Sequence, residues 1–209
     1  MARYRGPVCR LCRRAGDKLF LKGERCFTGA CAIERRQTAP GQHGSARGSK
    51  SDFSVQLSEK QKVKRTYGLT EKGFRKNFDK AIQAKGMVAG TSMLLCLETR
   101  LDNLVYRVGF AQSRTQARQM VGHGHILVNG RIVSKPGYCA SVGDVIEVTP
   151  ELRANVNVQA SMQSAISRAI PGWLSLDKDS VRGTVNALPA REDMPQNFRE
   201  QLVVELYSR

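Results

Sequence analysis

Acidic side chains are scarce in this sequence. Its 209 residues include 34 lysine and arginine residues against 18 aspartate and glutamate residues, a formal net charge of +16 at pH 7. So large a surplus of one sign indicates a polyanionic partner, either nucleic acid or an anionic membrane. The hydrophobic content of 41% is nevertheless sufficient for a buried core in one large or two small domains. A disordered polyelectrolyte is therefore excluded.

Long hydrophobic runs are also missing. No stretch approaches the roughly 20 consecutive apolar residues that a membrane-spanning helix needs, and no polybasic amphipathic helix stands beside an apolar anchor. The first residues, MARYRGP, lack the apolar core of a signal peptide, so we expect a protein kept in a reducing compartment. These absences favour nucleic acid over membrane as the partner.

The positive charge is concentrated in the first half of the chain. Residues 1–50 have 12 basic and 3 acidic side chains, and residues 51–100 have 10 and 5. Residues 101–150 have 5 and 3, and residues 151–209 have 7 and 7. We therefore expect the polyanion to lie mainly against the first half, while the neutral last quarter is freer to contact protein.

Four of the six cysteines stand close together near the start, at Cys9, Cys12, Cys26 and Cys31. Two close pairs separated by a loop resemble a four-thiolate metal site, in which each pair supplies two ligands. Disulfides fit poorly with a chain that has no secretion signal, and a catalytic thiol would need a base and an orienting group. Zinc and an iron–sulfur cluster both suit four thiolates, and zinc is favoured for a structural site. Cys96 and Cys139 are interpreted as packing residues.

Capping signals and apolar spacing predict helices after a Gly, Ser and Pro-rich loop at residues 38–52. The first helix, SEKQKVKRTYG, opens with a capping-box pattern at Ser58. The second begins at Thr70 and places Phe74, Phe78 and Ile82 on one face.

A third helix is expected from residue 91 to about residue 108, with Arg100, Asn103 and Arg107 on its polar side.

The second half has a different pattern. Ser113 caps a short helix, SRTQARQMV, and HILVNGRIV follows as two β-rich runs joined by Asn129-Gly130, a strong hairpin signal. DVIEV is expected to form a third strand, residues from about 158 to 170 are expected to form a helix, and QLVVEL near the end is expected to form a further strand. Helices followed by a small antiparallel sheet make α+β the expected class.

The SRTQARQMV helix and the hairpin that follows it are expected to bring cations and hydrogen-bonding groups onto one surface: Arg114, Arg118, His123, Asn129, Arg131 and Lys135. Guanidinium groups match the geometry of phosphate, and a helix N-terminus adds its dipole. The alternative interpretation is the solvated charged face of an ordinary small domain.

Several segments resemble a known family. SRTQARQMVGHGHILVNGRIV, followed by PGY and VGDVIEV, resembles the RNA-binding module named after the fourth small-subunit ribosomal protein. ARYRGP, PGQHG, RLDNLVYRVGF, PGWLSLD, LPAREDMP and EQLVVELYSR resemble bacterial-type members of that ribosomal protein family itself. The resemblance covers nearly the whole chain. The four cysteines are similar to those of the family members that contain a zinc-binding cysteine set.

The resemblance implies a non-enzymatic constituent of the small ribosomal subunit that binds ribosomal RNA early and nucleates assembly. It also implies contact with messenger RNA where it enters the subunit, and with the fifth small-subunit ribosomal protein at an interface linked to decoding accuracy. The expected location is the ribosome in the cytoplasm, or in an organellar matrix or stroma. No membrane contact and no obligate homo-oligomer are expected.

Three domains are predicted. Residues 1–45 form a four-cysteine metal module and linker, residues 46–98 form a helical domain, and residues 99–165 form the RNA-binding module. Residues 171–209 are expected to pack back on the helical domain.

The expected RNA-binding residues lie in all three domains and comprise Arg3, Arg5, Arg10, Arg13, Arg14, Arg35, Arg36, Arg47, Lys50, Lys60, Lys62, Lys64, Arg65, Arg75, Lys76, Arg100, Arg107, Ser113, Arg114, Arg118, His123, His125, Asn129, Arg131 and Lys135. Of these, Arg47 and Lys50 are the candidates for messenger RNA.

Two other function classes compete with this reading. Pseudouridine synthases share the RNA-binding module and have an Arg-Leu-Asp catalytic motif, which Arg100-Leu101-Asp102 mimics. That motif belongs to a large domain placed after the module, whereas here it precedes the module, and Asp102 is more simply the partner of a neighbouring arginine. A zinc-ribbon DNA-binding regulator would explain the cysteines and charge, but not the RNA-binding module.

Overall fold

The computed structural model describes residues 4–45, 51–84, 86–167, 170–178 and 180–208. The chain clusters into two compact units, a helical unit of residues 1–94 and 195–209 and a sheet unit of residues 95–194. Residues 1–45, predicted as a module of their own, cluster with the helices that follow them. Residues 171–194 cluster with the sheet unit, and only the last part of the 171–209 segment joins the helical unit.

In chain order the helices are α1 (Cys9–Ala15), α2 (Ala32–Arg35), α3 (Asp52–Thr66), α4 (Glu71–Gln83), α5 (Ala89–Glu98), α6 (Leu101–Val108), α7 (Arg114–Gly122), α8 (Pro150–Arg153), α9 (Val156–Ser167) and α10 (Glu200–Tyr207). The strands are β1 (Ile126–Val128), β2 (Arg131–Ile132), β3 (Val145–Val148), β4 (Leu174–Asp177) and β5 (Arg182–Val185). Short 3-10 turns lie at Gly23–Cys26 and Arg191–Asp193. Within the described residues, no helix combines the length and apolar character needed to cross a bilayer.

Helix α3 begins earlier than the sequence pattern predicts. The Ser51 hydroxyl caps it by accepting the backbone N–H of Ser54 at 3.3 Å, whereas Ser58 lies inside the helix and donates to the Ser54 carbonyl at 2.7 Å. The capping box predicted at Ser58 is therefore wrong. The helix extends back because its earlier turns pack on α10, where the buried Gln56 amide donates to the Glu205 carboxylate at 3.0 Å.

Helix α4 begins where predicted, since the Thr70 hydroxyl accepts the N–H of Gly73 at 3.3 Å. Phe74 and Phe78 are buried as expected, but Ile82 is 56% exposed. A spacing of four residues drifts by about 40° per step around a helix, so the third member of the series has left the buried face. Ala81 takes the inward position instead.

The segment QLVVEL forms helix α10, not the predicted strand. Its Val203 is fully buried, and the Tyr207 ring stacks on Phe78 with ring centroids 4.4 Å apart. Adjacent valines favour strands only weakly and depend on context. Packing against α3 and α4 overrides that preference here.

The predicted third helix is two helices. α5 ends at Glu98 and α6 begins at Leu101, because the backbone of Arg100 is extended and forms a bridge with Cys139. The Leu101 N–H donates to the Tyr138 carbonyl at 2.8 Å and holds the break open.

The polar side predicted for this helix is also wrong, since Arg100 and Asn103 are buried. Cys139, predicted as a packing residue, is exposed, while Cys96 is partly buried on α5.

The sheet is antiparallel with strand order β2-β1-β3-β5-β4. The Asn129-Gly130 hairpin is confirmed, with positive φ angles of 51° and 76° at its two turn residues. Strands β4 and β5 were not predicted from the sequence. Both are four residues long, and the sequence of β5, RGTV, contains a glycine. The core lies between the sheet and its helices and includes Leu104, Val121 and Ile146, so the α+β class is confirmed.

Gly109 ends α6 and packs tightly on α9. Its φ is +103°, and an added Cβ would lie 2.3 Å from the Ala165 Cβ. Gly143, in the turn before β3, has a similar φ of +90° but nothing within 4 Å of such an atom. An alanine would strain the backbone at both positions but would meet a close neighbour only at position 109. Comparison of the two substitutions therefore isolates the effect of close packing.

We expect Gly109→Ala to lower the free energy of unfolding by about 3 kcal/mol, because strain and overpacking add. Gly143→Ala should cost about 1 kcal/mol from strain alone. Urea denaturation followed by circular dichroism measures both. Equal losses would contradict the close approach of α6 and α9.

Candidate nucleic-acid interface

The structure places most of the predicted site residues, while Arg3, Arg47 and Lys50 lie outside the described residues. In the helical unit the candidates are Arg5, Arg10, Arg13, Arg14, Arg35, Arg36, Lys60, Lys62, Lys64, Arg65, Arg75 and Lys76. In the sheet unit they are Arg100, Arg107, Ser113, Arg114, Arg118, His123, His125, Asn129, Arg131 and Lys135. Each unit therefore has its own candidate surface.

The four cysteines of the helical unit come from three short elements. Cys9 and Cys12 lie in α1, Cys26 ends the first 3-10 turn, and Cys31 caps α2. All four are free thiols, and Cys9 is the least buried of them. Backbone N–H groups of Leu19 and Lys22 donate to the sulfurs of Cys12 and Cys26 respectively.

These thiols interact electrostatically. Burial raises the pKa of Cys12, and the charges that Cys26, Cys9 and Cys31 would bear raise it further. Burial also raises the pKa of Cys26, with Cys31 and Cys9 adding to the effect. The donor set and its N–H bonds suit a thiolate-binding metal. Among the described residues, however, no three His, Cys, Asp or Glu side chains are arranged as a ready ligand set.

Helix α1, which contains Arg14, packs on helix α3, which contains Arg65. Burial lowers the pKa of Arg65, and the positive charge of Arg14 lowers it further. Neither forms an ion pair with a carboxylate in the part of the chain that the structure describes. Arg14 is exposed and Arg65 is partly exposed, so both guanidinium groups are candidates for contact with phosphate.

Three lysines of α3 already have carboxylate partners. Lys60 and Lys64 donate to the two oxygens of Glu71 at 2.7 and 2.6 Å. Partial burial opposes ionisation of Glu71, but the two lysines outweigh it and lower its pKa to about 2. Lys62 pairs with Asp17 at 2.8 Å. These lysines are held in place within the protein while part of their charge is neutralised.

Asp102 organises one half of the sheet-unit surface. Its carboxylate is 4% exposed and accepts two hydrogen bonds from Arg100, at 3.0 and 2.7 Å, and one from Arg118 at 3.1 Å. The pairing of Asp102 with a neighbouring arginine, predicted from sequence, is confirmed. Arg100 is itself buried, so it serves the interior, whereas Arg118 on α7 is partly exposed.

Glu98 organises the other half. It accepts hydrogen bonds from the Asn103 amide at 2.7 Å and from Arg107 at 3.0 and 2.8 Å. The Asn103 oxygen in turn accepts from Arg114 at 2.7 Å, and the Arg114 guanidinium lies 4.5 Å from the centre of the Tyr106 ring. Arg107 and Arg114 are therefore positioned from within the fold.

The first turn of α7 has the predicted cap. Ser113 accepts the N–H of Gln116 at 3.3 Å, and the Gln116 side chain accepts the N–H of Gln112 at 3.0 Å. Ser113 thus has a structural role as well as a candidate binding one.

The hairpin residues divide in the same way. The Asn129 amide donates to Asp144 at 2.8 Å and its oxygen accepts the Val145 N–H at 2.9 Å, so Asn129 holds the turn. His123, Arg131 and Lys135 are exposed, and His125 is partly buried with its ring 6.1 Å from that of His123.

Sequence reasoning missed the carboxylate of Glu98. The only available signal was its position nine residues before Arg107, which did not predict a contact because the helix break at Arg100 was also missed. Arg153 and Arg182 were missed as well. Both pair with Glu147 at 3.0 Å.

Each unit presents cations at its surface, and those of the sheet unit are held by internal hydrogen bonds, which is typical of a polyanion-binding protein. Comparisons with known proteins make this specific. Residues 3–98 match the model described as Ribosomal protein S4/S9 N-terminal domain, and residues 99–146 match the S4 domain.

Relatives match along the whole chain. The chain is 54% identical over 209 residues to small ribosomal subunit protein uS4 of Desulfatibacillum aliphaticivorans, and 55% identical over 210 residues to that of Syntrophus aciditrophicus. The alignment covers 100% of each chain in both comparisons. The chain belongs to the uS4 family of ribosomal proteins.

We expect Asp102→Asn to lower the free energy of unfolding by about 3 to 5 kcal/mol, because it leaves the buried Arg100 without a counter-charge. Glu147→Gln is the matched control, since its arginine partners are much more exposed and should tolerate the change within about 1 kcal/mol. Urea denaturation compares the two. A loss no larger for Asp102→Asn than for Glu147→Gln would contradict the role given to Asp102.

Proposed function

We propose that the protein is a structural constituent of the small ribosomal subunit, where it binds ribosomal RNA. The observation that carries this function is the full-length identity of more than half of its residues to small ribosomal subunit proteins. Lysine and arginine contacts to phosphate supply the affinity, and the shape of the RNA supplies much of the selectivity.

Within this function, the exposed and positioned cations are the RNA contacts. The helical unit offers Arg14 and Arg65, and the sheet unit offers Arg114, which donates to Asn103, and Arg118, which donates to Asp102. Positioned cations lose little side-chain entropy on binding, so their contacts contribute more net affinity. Arg100 and Asn129 are left out of the proposed contacts, because the protein uses their polar groups internally.

The finer roles of the family extend this proposal. The protein binds the RNA early, nucleates assembly of the small subunit, and contributes to translational accuracy. Messenger RNA contact would fall to Arg47 and Lys50, which lie outside the described residues. The cytoplasmic location implied by the resemblance stays a prediction.

A groove in the helical unit suits a protein partner such as the fifth small-subunit ribosomal protein. It has a volume of about 780 Å³ and lies between residues 88–90 and helix α10. Val88, Leu202 and Val204 supply apolar surface, and Glu200 and Glu205 supply negative charge. A partner segment with apolar and basic side chains would complement it.

We also propose that Cys9, Cys12, Cys26 and Cys31 hold zinc, with an iron–sulfur cluster as the alternative. The free thiols, their mutual electrostatic effect and the backbone N–H bonds to sulfur support this. A bound metal would stabilise the thiolates and join three short elements that have little core of their own.

The rival enzymatic function finds no support in the geometry. A catalytic Asp102 would have to reach a substrate, yet its carboxylate is buried and accepts three hydrogen bonds from two arginines. Membership of the uS4 family makes the protein a structural component, not an enzyme.

Salt dependence tests the RNA contacts. We expect Arg14→Ala, Arg65→Ala, Arg114→Ala and Arg118→Ala each to weaken binding to small-subunit ribosomal RNA and to reduce the slope of log affinity against log salt by about 0.7 to 0.9. Lys178→Ala, an exposed lysine in the turn between β4 and β5, is the control and should leave the slope unchanged. An unchanged slope in any of the four arginine variants would remove that residue from the interface.

Elemental analysis tests the metal. Protein purified without oxygen should contain about one zinc per chain, and Cys9→Ser should lose it and make residues 4–40 sensitive to protease. Cys9 is the least buried of the four cysteines, so its replacement disturbs packing least. The exposed Cys139→Ser should change neither property. Stoichiometric metal in Cys9→Ser would contradict the four-thiolate site, and iron with sulfide would select the cluster.

A further inference from the structure

Two aromatic rings stack at the surface of the four-cysteine region. The ring centroids of Phe20 and Phe27 are 5.0 Å apart and the planes are inclined by 29°. Phe20 is partly buried, whereas Phe27 is 51% exposed. The pair therefore has an inner ring that supports an outer ring, and much of the outer ring remains open.

The backbone is strained to present this pair. Phe20 has a φ of 51°, in the left-handed region that a bulky residue rarely adopts. This conformation follows directly after Leu19, which is buried. Strained backbone of this kind concentrates at binding sites. This backbone conformation places the Phe20 ring against the Phe27 ring.

The turn between the two rings is fixed. The Lys22 N–H donates to the Cys26 sulfur at 3.3 Å, and the 3-10 turn at Gly23–Cys26 leads directly into Phe27. The outer ring is consequently attached to a short, hydrogen-bonded turn. A rigid aromatic surface loses little conformational entropy when another ring stacks on it.

The segment that contains the two rings is rich in cations. Residues 4–45 contain nine lysine and arginine side chains against three aspartate and glutamate side chains. Lys22 and Arg25 are both exposed, and the Arg25 Nε donates to the Ala30 carbonyl at 3.2 Å, which holds this side chain against the loop that follows Phe27. That bond uses Nε, and within the part of the chain that the structure describes the two Nη groups make no bond, so they are available to a phosphate.

We propose that Phe20 and Phe27 form a stacking platform for an unpaired base of the RNA, with Lys22 and Arg25 binding the phosphates beside that base. An exposed aromatic face combined with flanking cations is the arrangement by which proteins hold unstacked bases. The proposal deepens the RNA-binding function and rests on it. It adds a contact that recognises a base, where the arginine contacts recognise only phosphate.

Replacement of the outer ring tests the platform. Phe27→Leu keeps an apolar side chain over Phe20 but removes the aromatic face, and should weaken binding to small-subunit ribosomal RNA by about tenfold or more. Phe27→Tyr should bind as the wild-type protein does. Phe53→Leu is the matched control, because Phe53 is 53% exposed in the same unit and no aromatic ring of the described residues pairs with it.

Binding to heparin distinguishes the contribution of base stacking from that of charge, because heparin is a polyanion without bases. All of these variants should bind heparin equally. If Phe27→Leu loses as much affinity for heparin as it loses for ribosomal RNA, the substitution disturbs the basic surface, and the platform is overturned.

Fluorescence provides a readout that does not depend on affinity. The chain has one tryptophan, Trp173, which is buried, so Phe27→Trp introduces an exposed reporter. Ribosomal RNA should quench the emission of the introduced tryptophan strongly, heparin should not, and the wild-type protein supplies the background from Trp173. RNA binding without quenching would refute base stacking.

The outcomes distinguish this proposal from the one on which it rests. If the wild-type protein does not bind ribosomal RNA, the proposed function itself fails. If the wild-type protein binds ribosomal RNA, and either Phe27→Leu binds with equal affinity or Phe27→Trp binds without quenching, only the platform fails.

Discussion

Pairing of carboxylates with buried or crowded cations is the constraint on which this structure depends. The chain has 18 acidic side chains for 34 lysine and arginine residues, so few carboxylates are available to neutralise its cations. Asp102 shows how one of them is used: it neutralises the buried Arg100 and, with the same carboxylate, fixes Arg118 on α7. Glu98 acts similarly on Arg107 and, through an asparagine, on a second arginine. The same hydrogen bonds thus neutralise charge in the interior of the sheet unit and orient the cations at its surface.

The helical unit follows the same principle with different residues. Glu71 holds two lysines of α3, and Asp17 holds Lys62. Cations beyond this number remain as an excess, and two of them, Arg14 and Arg65, lie on the helices α1 and α3, which pack together. Guanidinium groups without a carboxylate partner are suited to bind phosphate.

Local signals predicted the parts of the fold that depend on local physics. The cap at Thr70 and the Asn129-Gly130 turn are confirmed because a side-chain acceptor and a positive φ are properties of a few neighbouring residues. The helix of QLVVEL and the break at Arg100 were missed because each depends on a distant partner, α3 for the first and the segment around Cys139 for the second. For the site, the charge pattern predicted a set of cations, and the structure separates those that serve the interior, such as Arg100, from those that face outward.

Competition between small-subunit ribosomal RNA and duplex DNA tests the central claim most directly, because both are polyanions and only one has the shape that the protein is proposed to bind. With the unmodified protein at moderate salt, the account predicts that ribosomal RNA displaces duplex DNA, and that this preference persists as salt weakens both complexes. Equal affinity for the two at moderate salt would reduce the interaction to charge alone and would contradict the account.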